Sequence, residues 1–326
     1  MEFQQYHQGD ISNNTYLVTG GAGFIGCNIV SYLVQHHAGK IIIYDNLSTG
    51  YKENIADYLS LPNVVFIEKD IRNYEDVLAA MQGVDYVMHQ AALGSVPRSI
   101  KDPLTTNDVN VTGMLNVLHA AKEVGVKGMV YAASSSTYGD SPNLPKVEPI
   151  IGNPLSPYAV TKYVNELYTS VYSRAYGFHT VGLRYFNVFG PKQNINGPYA
   201  AVIPLFITQF LKGVAPTING DGETSRDFTF VSNVVQANMK ALETPLEQSE
   251  VFNCACNERT TLLQLVANIK AHLNSDIEAI YGPERAGDVR HSQADISKAQ
   301  NILGYNPEVK FKEGLKHTVE YFKTTA

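Results

Sequence analysis

Tyr158 and Lys162, in the run Ser156-Pro157-Tyr158-Ala159-Val160-Thr161-Lys162, are the side chains best suited by type and spacing to move a proton. A separation of four residues puts both on one face of a helix. Ser156 suits the N-cap of that helix and Pro157 its first turn. The phenol then lies at the positive helix end, which favours an anion by roughly 0.3–1 kcal/mol, and an ammonium one turn further on pushes the same way. Unperturbed tyrosine, with a pKa of about 10, is a weak base near neutrality, so both influences would serve general base catalysis. Taken alone, the spacing is more often an exposed helix face. Its neighbours in the chain decide its meaning.

The first neighbour is the run Gly20-Gly21-Ala22-Gly23-Phe24-Ile25-Gly26, which follows a strand-like segment and opens a helical one. Gly20, Gly23 and Gly26 form a variant of the dinucleotide fingerprint. The glycines permit a tight turn, close approach of backbone to a pyrophosphate, and close helix–strand packing. The alternative is a glycine-rich turn that binds nothing, against which the strand–turn–helix context argues. Asp45 ends the next strand-like run, where a carboxylate accepts from ribose hydroxyls and repels a 2′-phosphate. Asn46 follows where an NADP site more often offers a basic residue. NAD is therefore the expected cofactor. Asp70, Gln90, Ala91 and Ala92 fall at the ends of later strands, on the edge where open α/β sheets hold ligands. Asp70 is expected near adenine, the alternative being a simple loop cap.

These residues need a frame. Tyr16–Thr19, Lys40–Tyr44, Val64–Glu68, Tyr86–His89, Gly128–Ala132 and Thr180–Leu183 read as buried parallel strands. Gly23–His37, Tyr74–Met81, Asp108–Val124 and Pro157–Tyr176 carry helical periodicity between them. That βαβ order predicts an α/β fold, a doubly wound parallel sheet of Rossmann type, with a smaller α/β substrate-binding lobe. The expected division is 1–183 for NAD binding and 184–326 mainly for substrate, with segments near 229–256 returning to the first unit.

Composition narrows the partners. A chain of 326 residues, 44% hydrophobic, can bury a large core. A net charge of -6 argues against nucleic acid and against an anionic membrane surface as partners. No apolar run reaches the roughly 18 residues of a membrane span. The polar stretch Met1–Asn14 lacks a signal-peptide core, so a cytoplasmic protein is expected. The 3 cysteines, Cys27, Cys254 and Cys256, fit neither a disulfide framework nor a zinc site, and no metal is expected.

In order along the chain, Thr19–Gly26, Asp45-Asn46-Leu47, Asp70-Ile71 and Tyr158-x-x-x-Lys162 resemble the extended short-chain dehydrogenase/reductases. The likeness continues through Arg184–Gly190, Gly220–Phe228 and Arg285–Val289, covering roughly residues 15 to 320. Within that family the chain is similar to the UDP-hexose 4-epimerases. It most resembles the bacterial UDP-N-acetylglucosamine 4-epimerases of surface-polysaccharide synthesis, through His89–Ser99 and Ala133–Gly139. The resemblance implies Tyr158 as base toward the sugar 4-hydroxyl and NAD as hydride acceptor. It implies Lys162 as the residue that lowers the tyrosine pKa and bonds the nicotinamide ribose, and Ser134 as the serine that relays the proton. Further cofactor contacts are implied at Phe24 and Ile25, at Ser48, Thr49 and Gly50, at Ile71 and Asn107, and at Tyr185 and Val188. The sugar-nucleotide 4,6-dehydratases, which are also similar, carry an Asp-Glu pair beside a catalytic Thr. Ser134-Ser135-Ser136 has none, which disfavours dehydration.

Rotating a 4-keto sugar for return of hydride to its other face requires a clamped nucleotide. By resemblance, Arg226 and Arg285 bind the diphosphate, Asp288 the uridine ribose, and Thr217 and Asn219 the uracil; Asn187 reaches diphosphate or sugar. Ser135 supports the sugar or nicotinamide. Ser292 aligns with a gate at which a small residue admits a 2-acetamido group, and Ala201, beside Val202, leaves further room. Gly94, Ser95 and Arg98 form a polar loop near the sugar. The implied activity is epimerisation between UDP-N-acetylglucosamine and UDP-N-acetylgalactosamine. A UDP-N-acetylglucosaminuronate 4-epimerase is one alternative, since Arg98 would also suit a C6 carboxylate, and a UDP-glucose 4-epimerase is another. An NAD-linked dehydrogenase exchanging cofactor with solution is more remote, as is a non-catalytic NAD sensor. By analogy, Asp108–Val124 and Pro157–Tyr176 pair across a homodimer; the alternative is burial of both within one subunit.

Overall fold

Runs rich in Val, Ile and Tyr, such as Thr15–Thr19 and Lys40–Asp45, favour extended backbone because branched and aromatic side chains pack well on a pleated surface. In the computed structural model, which describes residues 2–194, 201–284 and 289–325, they form a 7-stranded parallel sheet. The strands are β1 (Thr15–Thr19), β2 (Lys40–Asp45), β3 (Val64–Glu68), β4 (Tyr86–His89), β5 (Gly128–Ser134) and β6 (Val181–Tyr185), with Glu250–Cys254 as edge strand. Their order across the sheet is Glu250–Cys254, β6, β5, β4, β1, β2, β3. The chain winds outward from β1 to β3 and then restarts at β4 on the other side of β1. That reversal opens a crevice beyond the carboxyl ends of β1 and β4.

Helices cover both faces: α1 (Phe24–Gln35), α2 (Tyr74–Ala80), α3 (Val96–Lys101), α4 (Pro103–Asn107), α5 (Met114–Val124) and α6 (Pro157–Tyr176). Alternation along the strands divides the core. Tyr16 and Val18 pack with Ile29 and Val30 of α1, whereas Leu17 packs with Val117 and Leu118 of α5 on the opposite face. Later come α7 (Val202–Leu211), α8 (Val231–Glu243), α9 (Leu262–Leu273), α10 (Ser297–Leu303) and α11 (Phe311–Thr325). A further core of Phe189, Phe206, Phe228, Phe230 and Phe311 holds together the elements after β6. The edge strand and α8 come back to the sheet, α8 packing on α1 through Val235 and Met239.

Two departures from the sequence reading bear on the site. β5 and β6 both run further than expected, so Ser134 and Tyr185 end their strands side by side in register. The expected helix Asp108–Val124 is regular only from Met114; Asp108–Gly113 is π-helical. Gly113 there faces Ile71 so closely that a Cβ would come 2.6 Å from its Cδ1. Periodicity misses a widened turn because it adds a residue without interrupting the apolar face. Among the described residues, no helix is long and apolar enough to cross a membrane.

Candidate active site

The crevice beyond β1 and β4 is a cavity of about 720 Å³, within the range of small-molecule and cofactor sites. At one end lies the glycine turn. Gly20 has φ of 67°, and a Cβ on it would stand 2.7 Å from the Ala91 amide nitrogen at the end of β4. Only glycine lets the two strand ends approach so closely. A Cβ on Gly26 would likewise collide with the Gly20 carbonyl. Gly23 caps α1 without any side-chain bond, whereas Ser95, Asp102, Ser156 and Thr261 cap their helices with an oxygen. The first amides of α1 therefore face the cavity uncapped, as binding of a pyrophosphate requires.

Asp45, buried at the end of β2, accepts from the backbone of Ala22 at 3.0 Å and of Leu47 at 2.8 Å. Burial raises its pKa and these amides lower it. Each carboxylate oxygen keeps a lone pair for a ribose hydroxyl. Asp70 is more fully engaged. Arg72 holds both its oxygens, with Nη2 at 2.7 Å and Nε at 3.0 Å, and Asn46 donates to it at 2.8 Å. The Arg72 bond is the main reason its pKa falls to about 2. Asp70 thus anchors the loop that shapes this end of the cavity, through an Arg72 that sequence reading passed over.

At the other end stand the groups that the sequence suggests for proton transfer. Ser156 caps α6 by accepting from the Ala159 amide at 3.1 Å, with Pro157 in the first turn, as the sequence suggested. Tyr158 lines the cavity with its phenol hydrogen-bonded toward the Ser134 side chain. Ser134 Oγ accepts from the Ser136 amide at 3.2 Å and from the Ser136 hydroxyl at 2.9 Å. Lys162, 3% exposed, donates to the Ala132 carbonyl at 2.7 Å.

Burial opposes the expected acidification of Tyr158. Burial raises its pKa, Ser134 offsets this only in part, and Lys162 is engaged elsewhere. Burial also brings Lys162 down to about 8. His89, buried beneath, bonds Thr19 through Nδ1 at 2.7 Å. It is pushed to about 3, first by burial and then by the Lys162 charge, and so remains neutral.

Of the residues expected to touch cofactor, Phe24, Ile25, Asn46, Ser48, Thr49 and Ile71 line the cavity, as do Gln90, Ala92, Tyr185 and Val188. Gly50 and Asn107 do not. On the expected sugar side, Gly94, Ser95, Arg98, Ser135, Asn187 and Ala201 line it. Val202, Thr217, Asn219, Arg226 and Ser292 are not among its lining residues. Ser292 and Arg226 are nonetheless joined, since the Ser292 amide donates to the Ser225 carbonyl at 3.0 Å and Arg226 Nη1 donates to the same carbonyl at 2.9 Å. Arg285 and Asp288 lie outside the described residues.

Sequence reading also missed two buried asparagines. Asn110, in the π-helical turn, accepts from the Leu93 amide at 2.8 Å and donates to Thr161 at 3.1 Å, tying the loop after β4 to α6. Asn238 of α8 accepts from Gln90 at 3.1 Å and donates to the Tyr185 hydroxyl at 2.9 Å, while Tyr185 donates to Gln90 at 3.0 Å. Gln90 and Tyr185 are therefore a mutually satisfied wall.

Residues 16–255 match the model of the NAD dependent epimerase/dehydratase family. A putative UDP-glucose 4-epimerase of Methanocaldococcus jannaschii is 40% identical over 309 residues, 94% of this chain and 98% of that protein. The UDP-N-acetylglucosamine 4-epimerase of Methanobrevibacter ruminantium, solved with UDP-N-acetylmuramic acid, superposes with a TM-score of 0.92 at 41% identity, covering 97% of this chain and 100% of that one. The UDP-glucuronic acid 4-epimerase of Bacillus cereus, solved with UDP-glucuronic acid and NAD, does so at 0.88 and 29% identity over 96% and 100%.

Proposed function

From the premise that the chain belongs to the NAD-dependent epimerase/dehydratase family, we propose that it inverts C4 of a UDP-linked N-acetylhexosamine, interconverting UDP-N-acetylglucosamine and UDP-N-acetylgalactosamine. The observation that carries this reading is the meeting of Ser134, Tyr158 and Lys162 at one end of a cavity whose other end is the glycine turn. NAD, the family's cofactor, would be held by the glycine turn and Asp45 and would supply reversible hydride acceptance and a positive charge that favours the phenolate. Tyr158 takes the proton of the 4-hydroxyl, directly or through Ser134 Oγ, leaving a 4-keto sugar. After that sugar has turned over, the same phenol gives the proton back to O4. Lys162, fixed on Ala132, positions α6 and offers its remaining ammonium protons to the cavity. Arg226, with Arg285, Asp288, Thr217 and Asn219, serves the nucleotide, so that only the sugar rotates.

The small side chains of Ala201 and Ser292 support an N-acetylated substrate, as does the likeness to an N-acetylglucosamine epimerase. Arg98, lining the cavity with Gly94 and Ser95, supports a second reading in which C6 is a carboxylate. The reading carries with it a cytoplasmic homodimer feeding surface-polysaccharide synthesis. Ile100, Leu104, Val160, Leu167 and Val171 leave an exposed apolar stripe across α3, α4 and α6, while Met114, Val117 and Leu118 turn α5 inward. The stripe on α6 supports the dimer; α5 contributes its apolar face to its own subunit. Incubation with UDP-N-acetylglucosamine, UDP-N-acetylgalactosamine, UDP-glucose and their uronates, without added NAD, tests the whole. Formation of no C4 epimer from any of them would reject it.

A further inference from the structure

An enzyme that returns the same hydride to the same sugar must keep its dinucleotide between the two half-reactions, and Lys192, Gln193 and Asn194 of the segment Gly190–Asn194 line the cavity that would hold it. The segment follows Val188–Phe189 and crosses to the opposite wall of the cavity, where it is fastened at three points. The Pro191 carbonyl accepts from Asn28 Nδ2 of α1 at 3.4 Å, and the same nitrogen donates to the Phe24 carbonyl at 2.8 Å. Lys192 Nζ donates to the Asn54 carbonyl at 2.7 Å and lies over the Tyr58 ring at 5.4 Å. Asn194 Nδ2 donates to the Tyr51 hydroxyl at 2.8 Å. The 51–54 turn is itself bound to the glycine turn: Ala22 O accepts from the Tyr51 amide at 3.0 Å and from Asn54 Nδ2 at 2.9 Å.

The bonds close a ring that runs from Ala22 through Asn54 and Lys192 to Pro191, then through Asn28 to the first turn of α1. The ring therefore includes the glycine turn and the first turn of α1, whose leading amides carry no side-chain cap. Tyr51, Asn54, Lys192, Gln193 and Asn194 all line the cavity, so both fastenings from residues 192 and 194 join lining residues of its two walls. Lys192 holds a left-handed φ of 67°, uncommon for a residue with a side chain, and its amine bonds the Asn54 carbonyl while the residue lines the cavity.

We propose that Gly190–Asn194 is a bolt over the dinucleotide, with Lys192 as its positioning residue and as a cation beside the diphosphate, so that release of cofactor requires the Lys192–Asn54 and Asn194–Tyr51 bonds to open. The inference rests on the retained-cofactor reading above.

The test measures bound cofactor directly. Purified protein, Lys192→Met and Tyr51→Phe are desalted, their NAD content is determined after acid release, and dissociation is followed under dilution into a trap for free NAD. Lys192→Met keeps the length and packing of the side chain without its charge, and Tyr51→Phe removes only the acceptor hydroxyl. Each variant is expected to lose NAD on the order of ten-fold faster than the parent, as removal of one charge-assisted or one neutral bond implies. Thermal unfolding of the NAD-free proteins should differ little between parent and variants. Dissociation at the parental rate in both variants overturns the bolt. A parent protein that emerges from desalting without NAD overturns the retained-cofactor reading instead. Faster loss that merely follows a lower melting temperature of the NAD-free protein assigns the bonds to general stability and also overturns the bolt.

Discussion

The Lys162 ammonium donates to the carbonyl of Ala132 at 2.7 Å, two residues before Ser134 on β5. One turn of α6 is thereby fixed against the strand that ends in the serine, and Tyr158, at the start of that helix, is left facing Ser134. The pair of residues four apart is thus divided, the lysine tied to β5 and the tyrosine left toward Ser134, where the proposed function needs a proton acceptor.

Tyr158→Phe removes the phenol without changing the ring that packs beside it. Turnover should fall by roughly 10²–10⁴-fold, the usual contribution of a positioned acid–base group, while circular dichroism and melting temperature stay near the parent's. Activity within a few-fold of the parent would remove Tyr158 as the base.

Burial, which disfavours the charge, brings Lys162 down to about 8 in the folded chain against 10.5 for an ordinary lysine. Below pH 8 both states are protonated and the folded protein bears the full penalty. As pH rises from 8 to 10.5 the unfolded chain binds the extra proton, so the penalty is relieved by about 3 kcal/mol. Urea unfolding of the parent and Lys162→Met at pH 7.5, 9 and 10.5 should therefore show the parent gaining on the variant across that window. A constant difference would place the lysine pKa in the normal range.

Behind the serines, Glu166 and Arg184 form a buried bidentate pair at 2.9 and 2.7 Å, with the guanidinium 4.7 Å over the Tyr138 ring. Arg184→Met leaves the Glu166 carboxylate buried without a counterion and should cost about 3–5 kcal/mol of stability. Adding Glu166→Leu should recover most of it, since the pair's desolvation is then relieved along with its attraction. Chemical denaturation of both variants reads the outcome, and a double variant no better than the single would point to a packing role for Arg184.

The glycine turn was legible in the sequence because only glycine satisfies φ of 67° at Gly20 together with its contact on Ala91. The cap of α6 was legible because Ser156 and Pro157 are local signals. What escaped were partners that meet through the fold. Asn110 reaches Leu93 and Thr161 because a π-helical turn rotates it inward, and Asn238 reaches Gln90 and Tyr185 because α8 returns to the sheet after a long excursion. No local pattern encodes either meeting. The pKa of Tyr158 went the other way for a related reason: spacing on a helix records charge proximity but not burial.

Val160, Leu167 and Val171 recur at seven and four residues along α6, which puts them in one exposed line. Leu167→Arg sets a charge in the middle of that line and should shift a dimer to monomer in light scattering while the far-ultraviolet spectrum is unchanged. A parent protein that is already monomeric would reject the interface.

Arg98 and Ser292 separate the two substrate readings. Arg98 lines the cavity, so Arg98→Gln should depress kcat/KM for a UDP-uronate by about 10–100-fold, the worth of a charge-assisted bond, and that for a neutral sugar much less. The converse pattern, in which both fall equally, would mean that Arg98 shapes the loop and does not read C6. Ser292 is half-buried and its amide bonds the Ser225 carbonyl, beside the Arg226 proposed to hold the nucleotide. Ser292→Tyr should therefore cut turnover of UDP-N-acetylglucosamine well below that of UDP-glucose, by steric exclusion of the acetamido group. An equal loss on the two sugars would reject the gate, because a gate acts on the substituent that distinguishes them.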